Sequence, residues 1–191
     1  MELYTDNVLK MVAKTVREDL GTDWQSLFKY GINVHDQDKD TGKYHADFNG
    51  NPIHGRTDVH AYYLNTYVKS GSLNKDVMSR FTKSSRLLRG LPGVERAFIA
   101  FIGPNSVVPT HIDDESRAAF DESKCLNVLL GISVPSDKIE DIRMRVNTDA
   151  INQRTDHAIT FDANIPHDAW NNTNEWWICM VILTEREYVK S

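Results

Sequence analysis

The 191-residue sequence contains only two cysteines, six prolines and no long uninterrupted apolar run. Cys125 and Cys179 are too few for a disulfide framework. Both stand among apolar residues, which is typical of buried free thiols in a reducing compartment. Without a long apolar run, and without a basic segment followed by an apolar one at the N-terminus, the sequence predicts neither a membrane-spanning helix nor a secretion signal. We therefore expect a cytoplasmic protein without membrane contact.

Clustered positive charge is also missing. Acidic residues outnumber basic ones by 27 to 22, the formal net charge is -5, and no run of Lys and Arg appears. The electrostatic footprint of a nucleic-acid-binding protein is therefore absent, and no nucleic-acid partner is predicted. The sequence also lacks internal repeats and low-complexity linkers, which favours a single domain over residues 1–191. No pattern in the sequence bears on the oligomeric state.

The first half of the chain carries the apolar spacing of helices. Residues 6–20, with Asp6 as the expected cap, and residues 74–88 each repeat apolar side chains at helical intervals. Between them, residues 35–58 are polar and rich in turn-forming residues, which indicates either a long loop or a lid over a site. Residues 1–93 are thus predicted to form helical support and a polar loop.

After one predicted strand at 59–68, the pattern changes from residue 94 onward to short strands separated by turns. Strands are predicted at 59–68, 97–102, 107–108, 126–134, 142–146, 158–161 and 177–183. Many short strands of this kind predict a sandwich or a small barrel. Because the helices precede most of the strands, the fold class is mainly β with N-terminal helices, or α+β. Residues 94–187 are assigned to the β core.

Three polar side chains in this β region form a pattern with a chemical use. His111 and Asp113 are two positions apart, so on an extended strand they point to the same side. If His167 reaches the same point from another strand, the three form a 2-His-1-carboxylate facial triad. Such a triad binds one face of an octahedral Fe(II) and leaves the other positions open for substrate and oxygen. His-x-Asp alone is a weak signal, so the interpretation depends on its context.

Several blocks around these residues, in order and spacing, resemble the aspartyl/asparaginyl β-hydroxylase family. The similarity extends over roughly residues 80–187. The blocks are Phe81 to Leu88, Leu91 to Val94, Ala97-Phe98, Gly103 to Ser106, Pro109 to His111, Leu130 to Pro135, Arg143 to Arg145, Phe161 to Ala163 and His167 to Asn172. Their order makes the resemblance far more specific than the triad pattern alone.

The resemblance implies a double-stranded β-helix, the cupin-like jelly roll, with helices packed on one side. It also implies a hydroxylase that uses Fe(II) and the cosubstrate 2-oxoglutarate. In that chemistry 2-oxoglutarate is decarboxylated to succinate while a C–H bond of an amino acid, a peptide residue or another small metabolite is hydroxylated. His111 and His167 match the family's two metal-binding histidines. Asp113 stands where some members have an acid and others have glycine.

The positions that match the family's 2-oxoglutarate site carry different residues here. Trp176 stands at the position of the arginine that holds the far carboxylate of 2-oxoglutarate, and an indole has one N–H donor and no charge. Asn127 replaces a basic residue, and its amide is expected to hydrogen-bond the carboxylate nearest the metal. Arg143 and Arg145 are ranked first to replace the missing arginine. Their alternation puts both on one strand face, which serves this role only if it is the inner face.

Three interpretations of function are open at this point. The first is an Fe(II)/2-oxoglutarate-dependent hydroxylase in which His111, Asp113 and His167 are the catalytic metal ligands. The second, based on the missing arginine, is a cupin-like binding module without catalysis. The third is an iron oxygenase that does not use 2-oxoglutarate and in which the substrate itself chelates the metal. The complete triad argues against the second interpretation, because a binding module has no chemical need for all three ligands.

Overall fold

The computed structural model describes residues 4–30, 32–33, 59–66, 79–112, 125–162 and 164–189. The predicted loop at 35–58 and Asp113 lie outside these ranges. The helices are α1 (Asp6–Leu20) and α2 (Thr82–Gly90), with 3₁₀ turns at Trp24–Tyr30 and Arg186–Tyr188. The strands are β1 (Ile32–Asn33), β2 (Val59–Thr66), β3 (Val94–Ile102), β4 (Ser106–His111), β5 (Cys125–Ser133), β6 (Ile142–Val146), β7 (Asp149–Ile151), β8 (Ala158–Phe161), β9 (His167–Asn171) and β10 (Trp177–Glu185).

Helix α1 has the bounds that its apolar spacing predicts. Its N-cap, however, is Thr5 rather than Asp6, because the Thr5 hydroxyl accepts a hydrogen bond from the Val8 amide at 3.5 Å. At the other end the helix stops at Gly21, whose φ of 63° lies in the left-handed region that glycine adopts readily. Helix α2 ends near the predicted position, and the part of that prediction at residues 74–78 lies outside the described residues.

The strands form two antiparallel sheets whose order identifies the fold. The first sheet has the order β1-β2-β3-β10-β5-β8, and the second has the order β4-β9-β6-β7. From β3 onward, the chain crosses from one sheet to the other at most steps. The first and last strands of this set, β3 and β10, pair with each other. This strand order is that of a double-stranded β-helix, an eight-stranded jelly roll. The predicted mainly β, cupin-like fold is therefore confirmed.

The first sheet separates two apolar clusters. On its outer face, helix α1 contributes Val12 and Val16, which pack with sheet residues such as Ile99 and Leu130. On its inner face, side chains from both sheets form the second cluster. A sheet that is covered on both faces needs nearly continuous apolar strands, as in the buried run of β10. Within the described residues, no helix is long and apolar enough to cross a membrane.

Two strands of the second sheet were not predicted. Strand β7 is three residues long, with two of them exposed, so it has no apolar pattern to detect. Strand β9 has the burial pattern of a core strand, but its sequence His-Asp-Ala-Trp-Asn is polar. Its polar side chains are buried because they make hydrogen bonds within the fold or line its interior. An assignment based on hydrophobic alternation overlooks such a strand.

Candidate functional site

A cavity of about 370 Å³ lies between the two sheets. The first sheet contributes most of its apolar wall, and the second sheet contributes two histidines. Its lining residues are Val59, Ala61, Arg96, Phe98, Ala100, Ile102, Val108, His111, Ile112, Asn127, Leu129, Met144, Phe161, His167, Asp168, Ala169, Trp177, Cys179 and Val181. A largely apolar, concave space with a few polar groups has the usual character of a small-molecule site.

The two histidines predicted as metal ligands are adjacent in this cavity. His111 on β4 and His167 on β9 are direct partners across the antiparallel pair. Their ring centroids are 4.2 Å apart, with the ring planes inclined by 55°. His167 is buried, whereas His111 is partly exposed next to the exposed side chain of Ile112. The histidine pair therefore lies where the cavity meets the surface.

An irregularity in β4 makes this pairing possible. Val108 pairs with Ala169 and His111 pairs with His167, so three steps along β4 match two steps along β9. The extra residue is a β-bulge. In a regular strand, side chains three positions apart point to opposite faces, whereas Val108 and His111 both line the cavity. The bulge thus turns His111 inward to meet His167.

Each histidine is oriented by a backbone carbonyl two residues before it. The Nδ1 atom of His111 lies 2.8 Å from the carbonyl oxygen of Pro109, and Nδ1 of His167 lies 2.8 Å from that of Ile165. A carbonyl oxygen only accepts hydrogen bonds, so the neutral ring carries its proton on Nδ1 and its lone pair on Nε2. Metal-binding histidines are typically held in this way by a second hydrogen bond. The donor set therefore fits a divalent metal such as Fe(II).

The predicted third ligand, Asp113, lies outside the described residues. Among the residues that the structure does describe, no group of three His, Cys, Asp or Glu side chains is arranged to hold a metal. The third ligand of the triad, and the whole triad as a metal site, therefore stay predictions.

Behind the histidines, a buried carboxylate connects three strands of the second sheet. Asp168 on β9 accepts a hydrogen bond from the Thr110 hydroxyl on β4 at 2.9 Å and one from Arg145 Nε on β6 at 3.0 Å. A second Arg145 nitrogen, Nη2, also contacts this carboxylate. Thr110 and Asp168 are the immediate neighbours of His111 and His167 in sequence, so this network fixes the backbone from which both rings project.

Strand register shows which cavity residues lie at the level of the histidines. Across the first sheet, Arg96 pairs with Leu183, Leu183 with Asn127, and Asn127 with Phe161. The Phe161 ring lies 4.9 Å from the ring of His167. This row therefore marks what we call the histidine end of the cavity.

The opposite end of the cavity is apolar. Val59 pairs with Ile102, and Ile102 pairs with Trp177. The Asn171 amide donates to the Ile102 carbonyl at 3.0 Å, and Asn171 is four residues from His167 along β9, a distance of roughly 13 Å. We call this row of Val59, Ile102 and Trp177 the floor.

Arg96 is the site residue that sequence reasoning missed. It is partly buried, lies on β3, and shares its strand face with Phe98, Ala100 and Ile102, all of which line the cavity. The period-two alternation of these four residues was visible in the sequence. Alternation does not say which face is the inner one, however, and a basic residue near the start of a strand usually faces solvent.

The structure places Trp176 away from the cavity, contrary to expectation. Its ring packs against Trp24, Phe28 and His60 on the outer side of the first sheet, with centroids 4.7–5.9 Å apart. The indole that lines the cavity is that of Trp177, one residue later. A shift of one residue along a strand exchanges its two faces, which explains the difference. The Trp177 N–H is buried and has no hydrogen-bond partner among the described residues.

Arg143 and Arg145 also lie on the outer face, here that of the second sheet. Met144 between them lines the cavity, so the arginines project away from it. The Arg143 guanidinium lies 3.9 Å from the ring centroid of Trp170, a cation–π contact, while Arg145 binds Asp168. Alternation correctly put both on one face, and that face is the outer one.

Asn127 and Cys179 both line the cavity, in different roles. Asn127 is 1% exposed and lies next to Phe161 at the histidine end, so its predicted contact with a carboxylate near the metal is compatible with its position. Cys179 lies between the histidine end and the floor. Burial raises the pKa of its thiol to about 12 from an ordinary 9.0, so the thiol is neutral.

The sequence profile of the aspartyl/asparaginyl β-hydroxylase family matches residues 13–186, which is most of the chain. The chain belongs to this family. The expected resemblance is thereby confirmed, and membership together with the observed jelly roll supports a cupin-like oxygenase. The match also extends N-terminal to residue 80, where no motif of the family was recognised. A comparison with curated protein sequences finds no match.

Solved structures similar to this chain include cupin domains. The cupin domain of Schizosaccharomyces pombe Cnp3 has 7% identity and a TM-score of 0.40, and the alignment covers 71% of this chain and 66% of that one. A predicted oxalate decarboxylase of Thermotoga maritima has 12% identity and a TM-score of 0.39, with 69% and 84% covered. A Cupin 2 barrel protein of Salinispora arenicola has 8% identity and a TM-score of 0.39, with 69% and 80% covered. Because these scores are low, the fold assignment depends on the strand order.

Proposed function

We propose that this protein is an Fe(II)-dependent oxygenase that hydroxylates a C–H bond of an amino acid, a peptide residue or another small metabolite. The observation that carries the proposal is the histidine pair. His111 and His167 are adjacent in a largely apolar cavity, and each has its Nδ1 against a carbonyl oxygen. In this tautomer each Nε2 carries the lone pair that would bind a metal, with Asp113 as the third ligand. When bound, Fe(II) supplies the redox chemistry that activates dioxygen.

The chain's own residues have three tasks in this proposal. His111 and His167 bind the metal, and their carbonyl partners hold the rings in the required tautomer. The network around Asp168 keeps the two histidine strands in place. Apolar side chains such as Leu129 and Met144 exclude water from the space next to the metal, where a C–H bond of the substrate would be held.

The predicted cosubstrate, 2-oxoglutarate, fits one part of the cavity better than the other. At the histidine end, the Asn127 amide would meet a carboxylate near the metal. The second carboxylate would lie next to this end rather than at the floor, among the apolar side chains of Phe98, Leu129 and Val181, so it would depend on Arg96 for a cation. A buried carboxylate without a cation is strongly unfavourable. The apolar side chains next to Arg96 are the observation behind a second candidate function, an iron oxygenase that does not use 2-oxoglutarate.

The metal site is tested by replacing each histidine with alanine and titrating Mn(II), a redox-inert substitute for Fe(II). Loss of a ligand is expected to weaken metal binding by at least about 100-fold, since loss of a hydrogen-bond partner of a ligand already costs about 10- to 100-fold. The matched control is His157→Ala, because His157 is exposed and does not line the cavity. Equal metal affinity in His111→Ala, His167→Ala and the wild type would contradict the proposal.

The reaction is tested separately with the Fe(II)-loaded wild type and a panel of amino acids and peptides. Consumption of oxygen together with a product heavier by one oxygen atom supports an oxygenase. Succinate formed from 2-oxoglutarate in the same assay supports the first candidate function. Hydroxylation without succinate supports the second. A protein that binds the metal but consumes no oxygen with any member of the panel would favour the binding-module interpretation.

A further inference from the structure

The middle of the cavity is lined by small side chains. On the first sheet, Ala61, Ala100 and Cys179 are direct partners across β2, β3 and β10, and all three line the cavity. The rows on either side of them carry larger side chains, which are Phe98, Val181 and Leu129 toward the histidines and Val59, Ile102 and Trp177 at the floor. The wall that the first sheet provides is therefore set back in the middle of the cavity.

A fourth small side chain lines this part of the cavity from the second sheet. The Asn171 amide donates to the Ile102 carbonyl at 3.0 Å, which joins the end of β9 to the end of β3. Ala100 is two residues from Ile102, and Ala169 is two residues from Asn171. Both alanines line the cavity, so they lie at a similar depth on its two walls. We call the space between the walls the small-residue chamber, after its four residues Ala61, Ala100, Ala169 and Cys179.

The small-residue chamber lies next to the histidine pair, on the inner side. Ala169 is two residues from His167 along β9, a distance of roughly 7 Å. The cross-strand neighbours of Ala169 in the second sheet, Val108 and Met144, are apolar and also line the cavity. A substrate that is held at the histidines and extends inward by the length of one short side chain therefore reaches the chamber.

The four side chains of the chamber are uncharged at neutral pH. Burial raises the pKa of the Cys179 thiol to about 12, so the thiol keeps its proton. Arg96, a basic residue of the cavity wall, is four residues from Ala100 along β3, roughly 13 Å away. A charge or an amide placed in the chamber would lose its water and meet no strong hydrogen-bonding side chain among the chamber residues. An aliphatic group, in contrast, gains free energy from burial there.

We propose that the small-residue chamber receives a branched aliphatic side chain of the substrate, such as the isobutyl group of a leucine residue. The inference rests on the proposed function, since it places the C–H bond next to this group at the histidine pair. It narrows the substrate class to aliphatic amino acids, peptides with an aliphatic residue and metabolites of similar shape. The whole cavity of about 370 Å³ is near the lower end of the range for small-molecule sites, roughly 300–1,000 Å³, which favours a compact group.

The first test compares two ligands that share a metal-chelating hydroxamate head and differ in their tails. One is 4-methylpentanohydroxamate, whose tail ends in an isopropyl group. The other is 4-(hydroxyamino)-4-oxobutanamide, in which a primary amide of nearly the same shape replaces that group. On the Mn(II)-loaded wild type, isothermal titration is expected to show that the isopropyl tail binds at least about tenfold tighter, because the amide loses its water without gaining a partner.

The second test fills the chamber from the protein side. Ala100→Leu is expected to weaken binding of 4-methylpentanohydroxamate at least about tenfold, since the isopropyl group loses its burial, and to leave the affinity for Mn(II) unchanged. Its thermal unfolding temperature is not expected to fall, because the new side chain occupies existing space. Ala61→Val is a smaller step and keeps the test intact if Ala100→Leu does not fold. The matched control is Ala150→Leu, which lies exposed on β7 and is expected to bind like the wild type.

The reaction shows whether the aliphatic group belongs to the substrate. With the Fe(II)-loaded protein, a capped peptide that contains leucine is expected to gain one oxygen atom. The matched peptide with asparagine, a side chain of nearly the same shape, is expected to stay unchanged. One atom of O₂ enters the C–H bond, and the other enters succinate as 2-oxoglutarate loses CO₂, or enters water when ascorbate supplies two electrons. Decarboxylation of 4-methyl-2-oxopentanoate without hydroxylation of the leucine peptide would assign the chamber to a cosubstrate and overturn the proposal.

The proposal is also overturned if the two hydroxamates bind equally, or if Ala100→Leu binds the isopropyl tail like the wild type. These results do not affect the proposed function, which depends on Mn(II) binding by His111 and His167 and on oxygen consumption. If Mn(II) does not bind, the proposed function fails, and benzene, a ligand of apolar protein cavities, tests the chamber in the protein without metal. Chemical shifts in NMR spectra that change with benzene in the wild type but not in Ala100→Leu support the chamber, and equal changes in both contradict it.

Discussion

At the scale of single residues, Asp168 is the side chain on which the geometry of the histidine pair depends. It is 2% exposed and binds Arg145, whose side chain is 18% exposed, as well as Thr110. A buried ion pair of this kind contributes little when compared with an apolar replacement, but removal of one partner leaves a buried charge uncompensated. Because the network joins β4, β6 and β9, its loss affects stability and the orientation of the histidines together.

We expect Asp168→Asn to lower the free energy of unfolding by about 3 kcal/mol, because the Arg145 guanidinium loses its countercharge. The same variant should bind Mn(II) more weakly, although Asp168 is not among the proposed metal ligands. Urea unfolding and metal titration measure the two effects.

Lys83→Met is the matched control, since Lys83 pairs with Glu18 at 3.3 Å on the surface. Both side chains are well exposed, and such pairs contribute at most about 1 kcal/mol. If Asp168→Asn were as mild as this control, the network would not have the structural role assigned to it.

At the scale of elements, the bulge in β4 brings His111 and His167 together in the cavity. One extra residue between Val108 and His111 changes the face to which His111 points. The Pro109 carbonyl against Nδ1 of His111 then sets the tautomer of the ring, as the Ile165 carbonyl does for His167.

Deletion of Pro109 is expected to abolish Mn(II) binding while the sheets remain. The deletion restores regular alternation between Val108 and His111, which directs His111 away from His167. Pro109→Ala keeps the residue count and the carbonyl group and is expected to bind Mn(II) like the wild type. Circular dichroism checks the β structure of both variants. Wild-type metal affinity in the deletion variant would show that the bulge is not needed.

The same element explains how far the site could be predicted from sequence. His111 and His167 could be named because they follow apolar strand segments and match a family pattern. Arg96 and Trp177 could not, because both depend on which strand face points inward. That choice is made by the packing of one sheet on the other, and a period-two pattern in a strand buried on both faces contains no sign of it. Trp176 was named because it was matched to the position of the family's arginine, and the structure shows that the next residue, Trp177, lines the cavity.

At the scale of the whole molecule, three buried groups among the described residues, two tyrosine hydroxyls and one thiol, make the stability of the fold sensitive to alkaline pH. Burial raises the pKa of the Tyr4 hydroxyl to about 12 from an ordinary 10.0 and that of the Cys179 thiol to about 12 from 9.0. Burial also raises the pKa of Tyr62, whose hydroxyl donates to the Leu27 carbonyl at 2.8 Å. In each case the folded protein keeps a proton that the unfolded chain loses more easily.

The contribution of these three groups to the free energy of unfolding is therefore expected to be constant up to about pH 9, the ordinary pKa of a thiol, and to fall from there toward pH 12. For Cys179 alone the loss at about pH 10.5 is on the order of 2 kcal/mol. Urea unfolding at neutral pH and at about pH 10.5 measures the slope, which Cys179→Ala should reduce. A stability that is flat over this interval, or that rises, would contradict the burial of these groups.

The pairing of β3 with β10 also determines when the site comes into existence. Val94 pairs with Thr184 and Ile102 with Trp177, so the first and last strands of the jelly roll meet across most of its length. Closing so large a loop costs chain entropy before any contact compensates for it, and folds rich in such pairings form slowly. The cavity wall that faces the histidines includes β10. Both histidines therefore leave the ribosome before the wall that makes them a site, and their assembly waits for synthesis to pass Glu185.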